Sequence, residues 1–392
     1  MDETGTADEP NMKTVLAAIA TLVFLIFLIR GCEPEQGFVM RPGIAEGAIK
    51  IVGGGIDGTP PAFPSSGALV SSPATSGVYW ITYDGTNLFG AGDFLGLALR
   101  TYRSTDGGVT WAAQGNSTGS SGFFSPPSTD VLIGLDADGT NTRIKRSTDG
   151  GVNYSNIVVL NLNQSSASNF FPFSKTGSRT WLNLSFGSSN SRFYFSDDDG
   201  AIFTQSDTSG GPNFCDNGSN GILANGNAVI GSSKFVTASC TGHLRVTTNN
   251  GSSWSTVIPT FTGSGSPCVG DQNFSNAVFG NARYYIVCSG NAGKPILANT
   301  TDPLNWGATD WIDLPFTTPG ALSNTSLHIY NDSVFFAVRD PSDGFSMKIW
   351  RSTGSSWVLI HNTGISQLPG NMVTVGSSIY IGTSTFRVYK LS

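Results

Sequence analysis

Apolar and polar residues alternate in short bursts along this chain, and the bursts return in a fixed order. Arg143-Ile144-Lys145-Arg146, Arg192-Phe193-Tyr194-Phe195, His243-Leu244-Arg245-Val246 and Met347-Lys348-Ile349-Trp350 each precede a polar turn. Most of them show the period-2 alternation of a strand with unlike faces. Upstream of each lies a more apolar run: Val131 to Leu135, Arg179 to Phe186, Arg283 to Cys288 and Ser333 to Val338. Before these, Val78 to Tyr83 and Ser326 to Tyr330 read as a first strand. In the fourth unit the same two places fall to Ala228 to Ile230 and Lys234 to Ser239. Long amphipathic helical patterns are missing, so the pattern predicts an all-β chain built from four-stranded units.

The turn after the third strand fixes the period. Its best copy is Arg103 to Trp111, where Ser104, Asp106, Gly108 and Trp111 keep the spacing that recurs at Ser147, Asp149, Gly151 and Tyr154 and at Ser196, Asp198, Gly200 and Phe203. A fourth copy carries Asn249, Gly251 and Trp254; weaker ones hold Asp302 with Trp306, and Trp357 without an acid. A repeat of about fifty residues signals an array of similar units. Six units are complete. Asn371 to Val375, Ser378 to Gly382 and Phe386 to Lys390 supply three strands of another, whose open edge is an association hazard. A strand from 48–52 or 67–72 is expected to fill it, closing a ring of seven blades.

The turn pattern resembles the Asp-box (BNR) repeat of sialidases and many other β-propellers, over about 78–392. The resemblance implies that these turns lie on the outer rim, away from the axial pocket. Their chemistry agrees: Ser hydroxyl and Asp carboxylate accept or share hydrogen bonds with turn N–H groups, Gly takes positive φ, and the aromatic packs between sheets. The acids are therefore read as structural. A sialidase site, which the resemblance also invites, requires an arginine triad and an early Arg-Ile-Pro type motif. Only Met40-Arg41-Pro42 echoes the latter, and Arg103, Arg146 and Arg351 sit before rim turns as repeat features. Other propeller glycosidases need two carboxylates at a suitable separation. Asp93, Asp136, Asp138, Asp332 and Asp340 lie outside the rim turns, with nothing in the sequence to pair them.

The ends and the composition complete the reading. An acidic tail (1–13) leads into an uncharged apolar run bounded by Lys13 and Arg30, read as a transmembrane anchor over 14–30, its length extended by snorkelling of the flanking cations. Its bulky end lacks a small-x-small cleavage site; a cleaved signal peptide and acylation at Cys32 are the alternatives. A Gly/Pro/Ser-rich linker with the closing strand (31–76) precedes the propeller (77–392). Cys215 with Cys240 and Cys268 with Cys288 are expected as intra-repeat disulfides, placing the propeller on the extracytoplasmic side; buried thiols are the alternative. A net charge of −6 with scattered cations excludes a nucleic-acid footprint. Asp136 and Asp138 offer alternating oxygens to Ca²⁺, although Asp138-Gly139 is equally a hairpin turn. No other cofactor is indicated. The resulting expectation is a membrane-anchored recognition module for a protein or glycan, such as a host- or surface-recognition spike on a cell or virion. A propeller-fold glycoside hydrolase and an assembly factor for a membrane complex are the alternatives.

Overall fold

Each apolar burst becomes a strand, and successive strands pair antiparallel into radial sheets. The computed structural model describes 63–71, 80–92, 100–114, 121–124, 128–137, 142–160, 173–186, 190–206, 219–233, 244–257, 259, 272–274, 277–290, 296–307, 311–315, 325–340, 343–354, 356–384 and 387–392, all within the compact unit Pro42–Ser392. The acidic tail, the anchor segment and most of the linker lie outside the described residues. Among the described residues no helix is long and apolar enough to cross a membrane.

After β1 (Gly67–Ser71), blade 1 comprises β2 (Trp80–Tyr83), β3 (Leu88–Gly92), β4 (Arg100–Ser104) and β5 (Ala112–Ala113). Blade 2 comprises β6 (Ser121–Phe124), β7 (Leu132–Ala137), β8 (Thr142–Ser147) and β9 (Ser155–Leu160); blade 3, β10 (Phe173–Thr176), β11 (Arg179–Phe186), β12 (Asn190–Ser196) and β13 (Thr204–Gln205). Blade 4 has β14 (Ser219–Asn225), β15 (Ala228–Ser233), β16 (Leu244–Thr247) and β17 (Ser255–Val257). Blade 5 has a split inner strand, β18 (Gln272–Phe274) and β19 (Val278–Gly280), then β20 (Arg283–Gly290), β21 (Ile296–Thr300) and β22 (Trp311–Asp313). Blade 6 has β23 (Ser326–Tyr330), β24 (Ser333–Arg339), β25 (Ser346–Ser352) and β26 (Trp357–Ser366). Blade 7 is β27 (Pro369–Val375), β28 (Ser378–Thr383) and β29 (Val388–Leu391), with β1 as its fourth strand. The seven sheets make a seven-bladed β-propeller.

The closing strand is the 67–71 candidate. Its register runs from Gly67 opposite Leu391 to Ser71 opposite Val388, and the N–H groups of Ser65 and Ser66 both donate to the Ser392 carbonyl. Blade 4 corrects the sequence reading. Ala228 to Ile230 belongs to the second strand, and the inner strand is β14, Ser-Asn-Gly-Ile-Leu-Ala-Asn, pairing Leu223 with Ile230. Its flanking Asn and Gly disguised it as a loop, because its buried apolar side chains are only Ile222, Leu223 and Ala224 among the described residues. Lys234 to Ser239 lies outside the described residues.

Among the described residues the buried apolar side chains form seven layers, one between each pair of neighbouring blades. Tyr284, Ile286 and Cys288 point from β20 towards blade 4, while Tyr285 and Val287 point towards blade 6. A strand buried on both faces needs apolar residues at consecutive positions, which is why the second strands read as uniformly apolar runs.

Polar side chains tie the innermost strands together around the ring. Ser174 accepts the Ala224 N–H across blades 3 and 4, Asp332 accepts the Asn281 N–H across blades 5 and 6, and Asp84 accepts the Asp130 N–H across blades 1 and 2. Asn371 of β27 pairs its amide with both the N–H and the carbonyl of Ile81, joining blade 7 to blade 1. Between blades 6 and 7, His328 Nε2 lies 2.6 Å from Thr374 Oγ1. Desolvation there pulls the imidazole down from its ordinary value to about 4. Above the unfolded value near 6.5 neither state is charged; as pH falls below it the unfolded chain takes a proton that the folded chain refuses, and stability drops until about pH 4. His328→Gln is therefore expected to flatten the pH dependence of the urea midpoint between pH 6.5 and 4, read against the parent chain.

Candidate functional site

Antiparallel topology gives the propeller two unlike ends. The turns joining first to second and third to fourth strands share one end; the turns joining second to third strands, and the blade-to-blade connections, share the other.

At the first end the repeated turns keep one geometry. The hydroxyl of Ser104 donates to Asp106 Oδ1 at 2.8 Å and accepts the Gly108 N–H at 2.8 Å, while Asp106 accepts from the Thr110 N–H and hydroxyl. Ser147 with Asp149 and Ser196 with Asp198 repeat the pair at 2.7 Å, closing on the N–H groups of Gly151 and Gly200. Thr247 and Asn249 do the same for Gly251 and Ser253. In the weaker copies Thr300 accepts the Asp302 N–H, Trp306 Nε1 donates to the Pro303 carbonyl, and Trp357 Nε1 donates to the Asp313 carbonyl of blade 5. The Thr110 hydrogen bonds hold the exposed Asp106 carboxyl well below its ordinary value, at about 2. Backbone and side-chain hydrogen bonds lower Asp149 in the same way. A carboxylate fixed in its ionised form by its own turn is poorly suited to proton transfer.

These turns latch each blade to the one before it. Two successive residues take positive φ: Gly150 and Gly151, Asp199 and Gly200, Asn250 and Gly251. Asp and Asn tolerate the left-handed region at the first place. At the second, an added Cβ would meet the preceding blade, 2.6 Å from Thr101 at Gly151, 2.3 Å from Ile133 at Gly200 and 2.5 Å from Trp181 at Gly251. The aromatic ends follow suit: Trp254 stacks on Phe193 at 4.2 Å, Tyr154 hydroxyl meets Thr101 Oγ1 at 2.9 Å, and Trp111 joins the layer shared with Tyr380. Arginines before the turns act across the same joints. Arg103 pairs with Asp130 at 3.1 Å, and Arg146 donates to the Asp199 carbonyl. Arg351 stacks on Phe63, and Arg245 donates to Thr256 within its own blade. These four arginines thus do not converge.

The remaining sequence candidates disperse. Asp332 is a ring tie. Asp136 lies opposite Arg143 in the β7–β8 ladder; residues 138–141, Asp138 among them, and Asp93 lie outside the described residues. No group of three or more His, Cys, Asp or Glu able to hold a metal occurs among the described residues. Cys288 is buried in β20 and disulfide-bonded; Cys215, Cys240 and Cys268 lie outside the described residues, as does Met40-Arg41-Pro42.

At the second end the last of these candidates, Asp340, joins a cluster that the sequence reading did not assemble. In the β24–β25 connection, Lys348 Nζ lies 2.8 Å from Asp340 and 2.7 Å from Asp343. Asp343 also accepts from the Ser346 hydroxyl, and the Asp340 N–H donates to the Ser346 carbonyl. The Lys348 hydrogen bond pulls Asp343 down; Lys348 itself is raised, its two carboxylate bonds outweighing burial. The caged loop presents Phe345, 44% exposed at φ +69°, with the Arg339 guanidinium 4.4 Å from its ring centre. An aromatic in the left-handed region costs about 1–3 kcal/mol and persists only where its surroundings enforce it. The legible signal was Asp343-Gly344-Phe345, a turn sequence ending in a large apolar residue.

No family model matches the chain, and no curated protein matches it. Among solved structures it is similar to YCF48 bound to a D1 peptide, with TM-score 0.54 and 13% identity over 84% of this chain and 95% of that one. It is also similar to virginiamycin B lyase from Staphylococcus aureus with quinupristin (0.52, 14%, 83% and 97%) and to the GH74 xyloglucanase from Xanthomonas campestris (0.50, 13%, 79% of this chain and 52% of that longer one). At these identities the likeness lies in the propeller fold alone.

Proposed function

We propose that the chain is a recognition module: a propeller of the Asp-box type, tethered to a membrane by its N-terminal segment and held on the extracytoplasmic side, that binds a protein or glycan. The observation that carries this is the division of labour between its ends. Every well-kept rim turn spends its acid on bracing its own backbone and its aromatic on joining blades, while the second end carries the Ser-, Thr- and Asn-rich connections. Disulfides between Cys215 and Cys240 and between Cys268 and Cys288 fit that placement, since Cys288 is already bonded at the end of β20 nearest those connections. A host- or surface-recognition spike on a cell or virion is one setting for such a module.

A glycan array probed with the detergent-solubilised full chain, run beside a pull-down from the native membrane, tests the reading. Saturable binding to a glycan or one protein is expected. Steady turnover of a glycoside by the purified chain would sink the reading in favour of a hydrolase, which needs two carboxylates about 5–9 Å apart. Capture of unassembled subunits of a membrane complex would favour an assembly factor instead, a reading that the peptide-bound YCF48 fold neighbour makes worth the second arm.

A further inference from the structure

We propose that the outer edge of β26 in blade 6 is an interaction surface whose occupant is residues 48–52 of this same chain, added antiparallel as a fifth strand. The proposal stands independently of the recognition reading.

This edge differs from the other six. The outer strands β5, β9, β13, β17 and β22 hold 2, 6, 2, 3 and 3 residues, and β1 holds 5. β26 holds 10, Trp-Val-Leu-Ile-His-Asn-Thr-Gly-Ile-Ser, without a Lys, Arg, Asp, Glu or Pro. Proteins blunt free edges by shortness, charge, proline or bulges, or they cover them. Shortness, charge and proline are absent from β26. Its register against β25 slips after Leu359 and again after Asn362, so bulges twist its far half and leave the rim-turn half straight. That straight half carries Val358 and Leu359, each 42% exposed, and suits a partner of about five residues. Among the described residues β26 pairs with β25 alone. Covering is the device that remains.

The chain itself supplies the cover. Phe63 lies under the Arg351 guanidinium, 4.6 Å from it, and Arg351 stands opposite Val358 in the β25–β26 register. The N-terminal segment therefore arrives beside the straight half of β26. Because β26 runs from the rim-turn end to the second end, an antiparallel partner finishes at the rim-turn end, where Phe63 lies. Residues 53–62 reach at most about 35 Å, enough to join the two, and their Gly53-Gly54-Gly55 and Pro60-Pro61 suit a connection. Ala48-Ile49-Lys50-Ile51-Val52 alternates with strand period and was left over when β1 closed the ring. Alternation sets Ile49 and Ile51 on one face, to cover an exposed apolar side chain of β26. Lys50 falls on the other face, a charge that blunts the new edge. A second copy competes for the same edge at a disadvantage, since a segment tethered through 53–62 acts at an effective concentration in the millimolar range. Once docked, the segment shortens the free linker ahead of the propeller to 31–47.

Hydrogen exchange of the detergent-solubilised full chain, followed by mass spectrometry, tests the pairing. Amides of 48–52 are expected to exchange about tenfold more slowly than those of 53–58. In the double variant Ile49→Pro/Ile51→Pro, which cannot donate to a ladder there, exchange over 357–362 should quicken about tenfold while β24 stays unchanged. Ile56→Pro, in the connection, is the control and should alter neither. A peptide covering 46–54, added to the double variant, should restore the slow exchange of 357–362. Wild-type amides of 48–52 that exchange as fast as those of 53–58 overturn the proposal without any variant. Slow exchange over 357–362 that survives the double substitution overturns it too, because another element then covers the edge. Slow exchange that fades on dilution, with a dimer mass at high concentration, assigns the occupant to a second copy and overturns the same-chain pairing.

Discussion

Gly200→Ala is expected to cost about 3 kcal/mol of folding stability, while Gly177→Ala costs about 1 kcal/mol. Both glycines sit at positive φ, +79° and +57°, so each substitution carries the left-handed penalty of about 1–2 kcal/mol for a residue with a Cβ. They differ in what the Cβ meets. At Gly177 nothing lies within 4 Å, whereas at Gly200 the new atom falls 2.3 Å from Ile133 of the preceding blade and adds an overpacking cost of about 1–3 kcal/mol. Urea unfolding of the two variants measures the difference. Equal midpoints would show that the rim turn does not bear on its neighbour, and the latch account would fall.

Removing residues up to Ser71 is expected to abolish cooperative unfolding and turn the chain into a self-associating one. Without β1, blade 7 ends on β29, whose freed edge is a template for another strand. The layer between blades 7 and 1 also loses Val70, which packs with Tyr380, Val388 and Tyr102. Size-exclusion chromatography and urea unfolding read the result, and a peptide covering 65–71 added in trans should restore the monomer. A truncated chain that stays monomeric with one sharp transition would show that closure is dispensable.

The fold was legible wherever an element recurred. Asp106, Asp149 and Asp198 announced the period, and the three-stranded C-terminal unit announced the strand it lacked. Blade 4 was misread because β14 occupies an inner position where the usual apolar run shrinks to Ile222, Leu223 and Ala224 between Gly and Asn. The Phe345 cluster was invisible for the opposite reason. It occurs once, so no copy pointed to it, and its meaning depends on Lys348 reaching back across the β24–β25 connection to two acids that sequence spacing alone leaves unpaired. Repetition reveals architecture; a feature that occurs once has no copy to reveal it.

The direction of β1 has a mechanical consequence. The strand enters beside Ser392 at the rim-turn end and runs towards the end that carries Phe345. A pull on the chain ahead of Phe63, resisted by a ligand held at the far end, therefore acts along the strand. Force along a strand loads all of its bonds to β29 at once, whereas force across it peels them singly. The joint that closes the ring is thus oriented to withstand tension.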